Sequence, residues 1–214
     1  MSLADRLEQI YSGAVYDVLR AMGRRDCLLP SQIRPIDINQ RVAGPIFTVS
    51  GRRDEALDDH ETLLQWTGLL SKAPSESVVV CQPNDDTLAH MGELSAETLQ
   101  TRGVRGYIVD GGCRDCDFIC RIGFPVFCRY FTPADVVGRW VAEDLGQPIT
   151  IGQLKINSGD YVIADRDGVV MIPADLAEKV TAEAEKVVKT ESEVRKAIRR
   201  GVDPQEAYLK YGAF

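Results

Sequence analysis

Gly92-Glu93-Leu94-Ser95 and, further along, Arg114-Asp115 have the residue types to hold a small acid and a hard metal ion together. Gly92 permits a backbone turn closed to most residues. The amides of Glu93, Leu94 and Ser95 would then be unpaired donors at a helix start, a place that binds anions through its amides and positive dipole end. Arg114 can grip a carboxylate through two parallel bonds. Asp115 is a hard oxygen ligand of the kind Mg²⁺ accepts, with water completing its shell. Each segment also has a plainer reading. Gly92 can end a loop with Ser95 capping the helix, and Asp115 can cap its own helix while Arg114 makes a surface ion pair. Position favours the functional reading. Both segments follow strands, and in open α/β sheets ligands collect beyond the carboxyl ends of strands.

The elements that must position these residues are legible as alternating units. Val78-Val79-Val80-Cys81 reads as a short buried strand, Pro83-Asn84-Asp85-Asp86 as a turn, and 94–102 as a helix closed by Gly103. Tyr107-Ile108-Val109-Asp110 is a second strand, Gly111-Gly112 a turn, 115–122 a helix capped by Gly123, and 125–131 a third strand. Such alternation predicts parallel strands joined by crossover helices. Before it, a helix carries Val15, Val18, Leu19 and Met22 and stops at Gly23. Residues 42–50 read as a strand, with Gly44-Pro45 marking an edge or a bend. A helix over 59–70 places Leu63, Leu64 and Leu70 on one side. After it, strands are expected at 149–156, 161–164 and 169–172, the last two joined by the hairpin loop Asp165-Arg166-Asp167-Gly168. A long helix over 175–200 shows Leu176, Val180, Ala184, Val187, Val194 and Ile198 as its stripe and ends at Gly201. Asp203-Pro204-Gln205-Glu206 starts a last helix with an N-cap, a proline at the first position and a capping box.

At 214 residues the chain can bury a sizeable core, and a single domain over 1–214, with a helical extension from about 175, is the simpler expectation. Hydrophobic residues make up 44% and charged residues 27%, ordinary for a globular protein. A net charge of −7 and no basic domain argue against nucleic acid as a partner. No apolar run approaches the roughly 18 residues that span a membrane. Met1-Ser2-Leu3-Ala4-Asp5 lacks the basic and apolar regions of a secretory signal, so a cytoplasmic location is expected. Six cysteines then stay as thiols.

Taken together, Gly92-Glu93-Leu94-Ser95, Arg102-Gly103-Val104-Arg105-Gly106, Val109-Asp110-Gly111-Gly112-Cys113-Arg114-Asp115 and Gly123-Phe124-Pro125-Val126-Phe127 resemble a known family. It joins the regulator of ribonuclease activity A to the 4-hydroxy-4-methyl-2-oxoglutarate and 4-carboxy-4-hydroxy-2-oxoadipate aldolases. Gly44-Pro45-Ile46-Phe47-Thr48-Val49, Asp165-Arg166-Asp167-Gly168-Val169-Val170 and, for one branch, Ala207-Tyr208-Leu209-Lys210-Tyr211-Gly212 extend the likeness over nearly the whole chain. The resemblance implies an α/β fold, a compact α/β/β sandwich of the swivelling β/β/α kind, with parallel β-α units and a long C-terminal helix. It implies a homotrimer or hexamer with sites between subunits. The aromatic tail Tyr208, Tyr211 and Phe214 offers apolar surface for such a contact or for an intramolecular one. It also implies a divalent-metal-dependent (class II) aldolase that cleaves a 4-hydroxy-2-oxo acid to pyruvate and a carbonyl product, with oxaloacetate decarboxylation as a side activity. In that reading the amides of Gly92, Glu93, Leu94 and Ser95 hold the pyruvyl carboxylate. Arg114 contacts the substrate and balances enolate charge, and Asp115 binds Mg²⁺, Mn²⁺ or another divalent cation. Gly112-Cys113 departs from the Ala-Val expected there, which puts substrate identity in doubt more than chemistry.

Other signals compete. Cys113, Cys116 and Cys120 have spacings that suit an iron–sulfur or zinc site, but the same spacings put three thiols on one apolar helix face, which is the preferred reading. His60 and His90 are too few for a multi-histidine metal centre, and His90 is expected in a solvated loop near the pocket. Asp85, Asp86 and Glu93 can supply water-mediated ligands to the ion or simply be solvated. The rival function is a non-catalytic regulator that binds ribonuclease E or another protein partner.

Overall fold

The run Val78-Val79-Val80-Cys81 sends alternate side chains to opposite faces, and all four are fully buried. A strand apolar on both faces belongs inside a sheet covered on both sides, and the computed structural model, which describes residues 1–212, places it there. In chain order the elements are α1 (Leu3–Glu8), α2 (Ser12–Ala21), β1 (Arg34–Pro35), β2 (Val42–Arg53), α3 (Asp59–Lys72), β3 (Val78–Gln82), α4 (Glu93–Thr101), β4 (Gly106–Val109) and β5 (Gly112–Cys113). They continue with α5 (Cys116–Ile122), β6 (Val126–Cys128), β7 (Tyr130–Phe131), β8 (Trp140–Leu145), β9 (Ile149–Ile151), β10 (Leu154–Ile156), β11 (Tyr161–Asp165) and β12 (Gly168–Ile172). A 3₁₀ turn at Ala174–Leu176 leads into α6 (Ala177–Arg199), and α7 (Pro204–Tyr211) follows.

An eight-stranded mixed sheet runs β1-β6-β4-β3-β2-β11-β12, with β8 paired to the far half of β2. Strands β2, β3, β4 and β6 are parallel neighbours, as the β-α alternation predicts. Val79 and Cys81 point into a core shared with α3, α4 and α5 through Trp66, Leu69, Leu99 and Ile119. Val78 and Val80 point the other way, toward Ile149, Ile151 and Ile156 of the β9–β10 hairpin. A third core packs α1, α2 and α6 on β11 and β12 through Leu7, Val15, Leu19, Ile163, Ile172 and Val180. Each such aliphatic side chain contributes about 1.5–3 kcal/mol on burial, so three cores hold the strand ends firmly.

Several expectations need correction. Gly44-Pro45 lies in an interior strand rather than at an edge. Residues 42–45 pair with β11, and pairing with β3 starts at Ile46. Ile46 N donates to Asp160 O (2.7 Å), so the missing proline N–H costs no ladder bond on that side. The buried side of α3 is Thr62, Trp66, Leu69 and Leu70, whereas Leu63 and Leu64 are exposed. The stretch 149–156 is a hairpin bent at Gly152, whose φ is +63°. Strand β8 has no counterpart in the sequence reading. It is held by pairing with β2 across a bulge at Ser50/Gly51, where a Cβ on Gly51 would sit 2.0 Å from the Trp140 ring. In α6, Val180, Ala184 and Val194 are buried but Ile198 is not. Asp203 caps α7 by accepting from the amides of Gln205 and Glu206. Of the aromatic tail, Tyr208 is exposed, Tyr211 is half-buried and Phe214 lies outside the described residues. Among the described residues no helix is long and apolar enough to cross a membrane.

Candidate active site

β3 and β4 are adjacent and parallel, in register from Val78↔Gly106 to Cys81↔Val109, so their following loops emerge at the same end. The two loops are then laced together. His90 N donates to Gly112 O (2.8 Å), Arg114 N donates to Met91 O (2.9 Å), and Ala89 bridges Gly112. This lacing sets the start of α4 against Arg114-Asp115, as the sequence reading expects.

Gly92 is the N-cap residue of α4, with extended backbone (φ −151°, ψ 179°) that any residue can adopt. Its reason for being glycine is therefore space, not the special turn expected of it. A Cβ there would lie 2.9 Å from Asp115 Oδ2 and 3.1 Å from Arg114 Nε. No side chain of α4's own loop caps the helix. The Glu93 amide instead donates to Asp115 Oδ2 (3.0 Å), so Asp115 caps α4 from across the cleft rather than capping α5. Asp115 is left-handed (φ 57°), a conformation that Asp tolerates better than most residues, and this turns its carboxylate back toward α4. Among the described residues no protein acceptor is found for the Leu94 and Ser95 amides. They are the free donors that a helix start offers. The Ser95 hydroxyl accepts from Trp66 Nε1 (2.8 Å) and so is not the helix cap.

Arg114 lies between two carboxylates. Its Nη1 donates to Asp135 Oδ2 (3.0 Å), and its Nε is 3.5 Å from Asp115 Oδ2. Asp135 also meets Arg139 Nη2 at 3.4 Å. All these groups border a cleft of about 540 Å³, whose remaining wall is largely apolar: Leu63, Trp66, Leu70, Met91, Val136 and Val137. A volume of that order suits a small substrate. The sequence reading missed Asp135. Its Oδ1 accepts from Val137 N (3.3 Å), so locally it looks like any turn aspartate after a proline.

The donor set at the cleft fits a hydrated divalent ion. Asp115 offers an oxygen that is partly solvent-accessible, and ions such as Mg²⁺ settle for one or two carboxylates while keeping several waters. Among the described residues no group of three or more His, Cys, Asp and Glu could hold a metal. A closed thiolate or imidazole centre therefore does not fit. Cys113 sits in β5, and the left-handed Asp115 separates it from Cys116 and Cys120 on α5, so the three thiols do not share a helix face. The neighbouring Cys128 thiol and burial, with Cys116 adding to them, raise Cys113 above the usual thiol range.

His90 and Asp85-Asp86 lie away from the cleft, and Glu93 lies at it. His90 is fully buried, edge-on to Trp140 with ring centroids 5.1 Å apart, because the lacing bond of its amide draws it inward. Asp85 and Asp86 border a separate polar pocket with Gln82, Asn84, Asp110, Arg129 and Thr150, away from Asp115. Glu93 borders the cleft itself.

A helix N-terminus, an arginine and an aspartate thus converge on one cleft beyond two parallel strands of a mixed α/β sheet. The chain belongs to the RraA-like family (Aldolase/RraA), whose model matches residues 12–171. It is 31% identical over 182 residues to a protein of Halalkalibacterium halodurans named "Putative 4-hydroxy-4-methyl-2-oxoglutarate aldolase", covering 85% of this chain and 83% of that one. An uncharacterized protein from Pseudomonas syringae pv. tomato superposes with a TM-score of 0.87 at 25% identity, covering 98% of this chain and 93% of that one. RraAS2 of Streptomyces coelicolor, described as an unusual member of the RNase ES inhibitor RraA family, shares the fold with a TM-score of 0.79 at 23% identity, covering 91% of this chain and 96% of that one.

Proposed function

We propose that this protein is a divalent-metal-dependent lyase that cleaves a 4-hydroxy-2-oxo acid to pyruvate and a carbonyl product. One observation carries the reading: the free Leu94 and Ser95 amides at the start of α4 share a cleft with Arg114 and Asp115. The amides and the positive end of α4 bind the substrate's C1 carboxylate. Asp115 would hold Mg²⁺ or Mn²⁺, which when bound supplies Lewis-acid polarisation of the 2-oxo group. Arg114, held by Asp135, places a fixed positive charge where the C2 oxygen becomes an enolate. The C4 hydroxyl loses its proton, the C3–C4 bond breaks, and its electron pair passes to the C2–C3 enolate while C4 becomes a carbonyl. Protonation at C3 then gives pyruvate. Among the described residues no lysine lines the cleft, so no residue stands ready for a Schiff base.

Oxaloacetate decarboxylation passes through the same enolate and should accompany the main reaction. Pyruvate release from oxaloacetate by the purified protein with Mg²⁺, abolished by EDTA, is the expected result. A rate equal to Mg²⁺ alone overturns the reading and leaves the non-catalytic alternative, an inhibitor of a ribonuclease E type enzyme, as the likeness to RraAS2 would suggest. The reading includes a homotrimer or hexamer with the cleft at a subunit boundary. Leu63 and Leu94, both bordering the cleft, are 45% and 75% exposed, and a neighbouring subunit would cover them. Light scattering that shows a fully active monomer would rule out a shared site.

A further inference from the structure

Arg114 and Asp115 are bracketed by two thiols. Cys113 closes β5, Cys116 opens α5, and only the arginine and the aspartate stand between them. The left-handed backbone at Asp115 (φ 57°) folds this short stretch back on itself. The turn that takes Cys113 off the α5 face brings its thiol into hydrogen-bonding contact with both Cys116 and Cys128. Cys113 Sγ also donates to Arg114 O (3.3 Å), so the thiol proton helps to hold the backbone that carries the arginine of the cleft. Cys113 and Cys128 are buried, while Cys116 is half-buried. An oxidant arriving from solvent meets Cys116 first, with the Cys113 thiol already against it.

We propose that Cys113 and Cys116 form an oxidation site, a reversible disulfide that displaces Arg114-Asp115 and weakens the divalent-ion site. The oxidant is a peroxide. The Cys116 sulfur attacks one oxygen of hydrogen peroxide, the O–O bond breaks, and Cys116 becomes a sulfenic acid as one water leaves. Cys113 then attacks the Cys116 sulfur, the S–O bond breaks, and a second water leaves with the Cys113 proton. The two thiols lose two electrons and the peroxide gains them. The sulfurs must close to about 2 Å, and only two residues lie between them to absorb the movement. Asp115 already holds an uncommon backbone conformation, and a shift there draws its carboxylate off the Glu93 amide, from which it accepts at 3.0 Å. The bond to Arg114 O disappears with the Cys113 proton. The Cys128 contact for Cys113, and burial for Cys116, raise these thiols above the usual range, so the pair answers an excess of peroxide. Control of an ion rests on the metal reading above, but formation of the disulfide does not.

The test oxidises the assembled protein with hydrogen peroxide, blocks free thiols and digests with trypsin without reductant. Cleavage after Arg114 and Arg121 should leave peptide 106–114 joined to 115–121. Mn²⁺ binding, followed by calorimetry, should weaken at least about tenfold, the scale of losing a group that supports a metal ligand. Dithiothreitol should restore it. Cys116→Ser and Cys116→Ala should bind Mn²⁺ like the unaltered protein and keep that affinity after peroxide. Met91 also borders the cleft, and its sulfoxide would survive dithiothreitol. A loss that dithiothreitol does not reverse, or that persists in the Cys116 variants, overturns the inference. A link from 106–114 to 122–129, which would place the bond at Cys128, or the absence of any link, also overturns it. So does a Cys113–Cys116 disulfide in protein that binds Mn²⁺ as before. Reduced protein that binds no Mn²⁺ overturns the metal reading and the inference together. Reversible loss of Mn²⁺ binding in a protein that cleaves no 2-oxo acid leaves the inference standing and overturns the lyase reading.

Discussion

Asp85 and Asp115 follow neighbouring strands at the same end of the sheet, yet they have opposite chemistry. The Asp85 side chain is 1% exposed and saturated by its own surroundings. It accepts from Leu88 N (2.8 Å), Thr87 N (3.0 Å) and Thr87 Oγ1 (2.9 Å), and Arg53 Nη1 donates to it at 3.2 Å. Burial pushes its pKa up, but these bonds outweigh that and hold it below the ordinary value. The Asp115 side chain is 39% exposed, accepts one amide and faces one guanidinium at a distance. Its remaining acceptor capacity is turned to the cleft. A carboxylate whose lone pairs are spent locally ties a loop down, while one left half-spent in a cleft can take a ligand.

The largest expected effect follows from that contrast. Asp115→Asn keeps an oxygen for the Glu93 amide and a residue that tolerates the left-handed region, but removes the charge an ion needs. Activity should fall about 10³-fold, matched by EDTA treatment of the unaltered protein, with an unchanged Tm. Asp85→Asn should do the reverse. Turnover should stay within a few-fold, and stability in urea should drop by about 1–3 kcal/mol. If the two variants behave alike, the contrast between the two acids is wrong. Arg114→Lys comes next. It keeps the charge but loses the planar fork that reaches Asp135 and the substrate together, and kcat/KM should fall about 10²-fold. A loss under about threefold would make Arg114 a structural residue.

The sequence resolves these two acids only partly. Val78–Cys81 and Tyr107–Val109 are short apolar runs bounded by turns, and such local contrast identifies buried parallel strands and places both loops at one end. What escapes the sequence depends on partners far along the chain. Trp140–Leu145 carries Glu143 and Asp144 and becomes a strand only through β2. Leu63 and Leu64 fit an apolar stripe as well as Trp66 and Leu69 do, but Trp140 packs edge-on against Trp66 and so favours that side. Asp135 looks like a turn residue until Arg114 reaches it. The saturation of Asp85 is mostly local, through Thr87 and Leu88, with one remote bond from Arg53. Residue types announce a candidate acid, and tertiary contacts decide whether its lone pairs are free.

Gly92→Ala tests the same boundary more gently. The backbone at Gly92 is extended, so alanine brings no conformational strain. Its Cβ would meet the Asp115 carboxylate at 2.9 Å and the Arg114 side chain at 3.1 Å and 3.2 Å. Both are flexible side chains that can yield, so folding should be spared while the pair shifts within the cleft. A loss of about tenfold in kcat/KM, equivalent to ~1.4 kcal/mol, with Tm unchanged is expected. Unaltered kinetics would show that the exact placement of Asp115 and Arg114 does not matter.

The smallest effect lies beside Asp85. His90 is buried against Trp140 with Nε2 3.5 Å from Asp85 Oδ2, and neither ring nitrogen has a hydrogen-bond partner among the described residues. Burial lowers its pKa from 6.5 to about 4, with the Asp85 charge opposing only in part. Between those values the unfolded chain binds a proton that the native state refuses, so stability falls as the pH falls through that window. Asp110, raised by burial, acts in the opposite direction above 3.8, which makes the upper part of the window the cleaner place to look. From about pH 7 to about pH 5.5 the loss from His90 should be about 1 kcal/mol. Urea unfolding at the two pH values should show it in the unaltered protein and not in His90→Gln, whatever the absolute stability of the variant. The slope is the readout, because a purely packing role for His90 would lower both values equally. An unchanged slope in His90→Gln would assign the acid sensitivity to another group and leave Asp85 with no titrating neighbour to restrain.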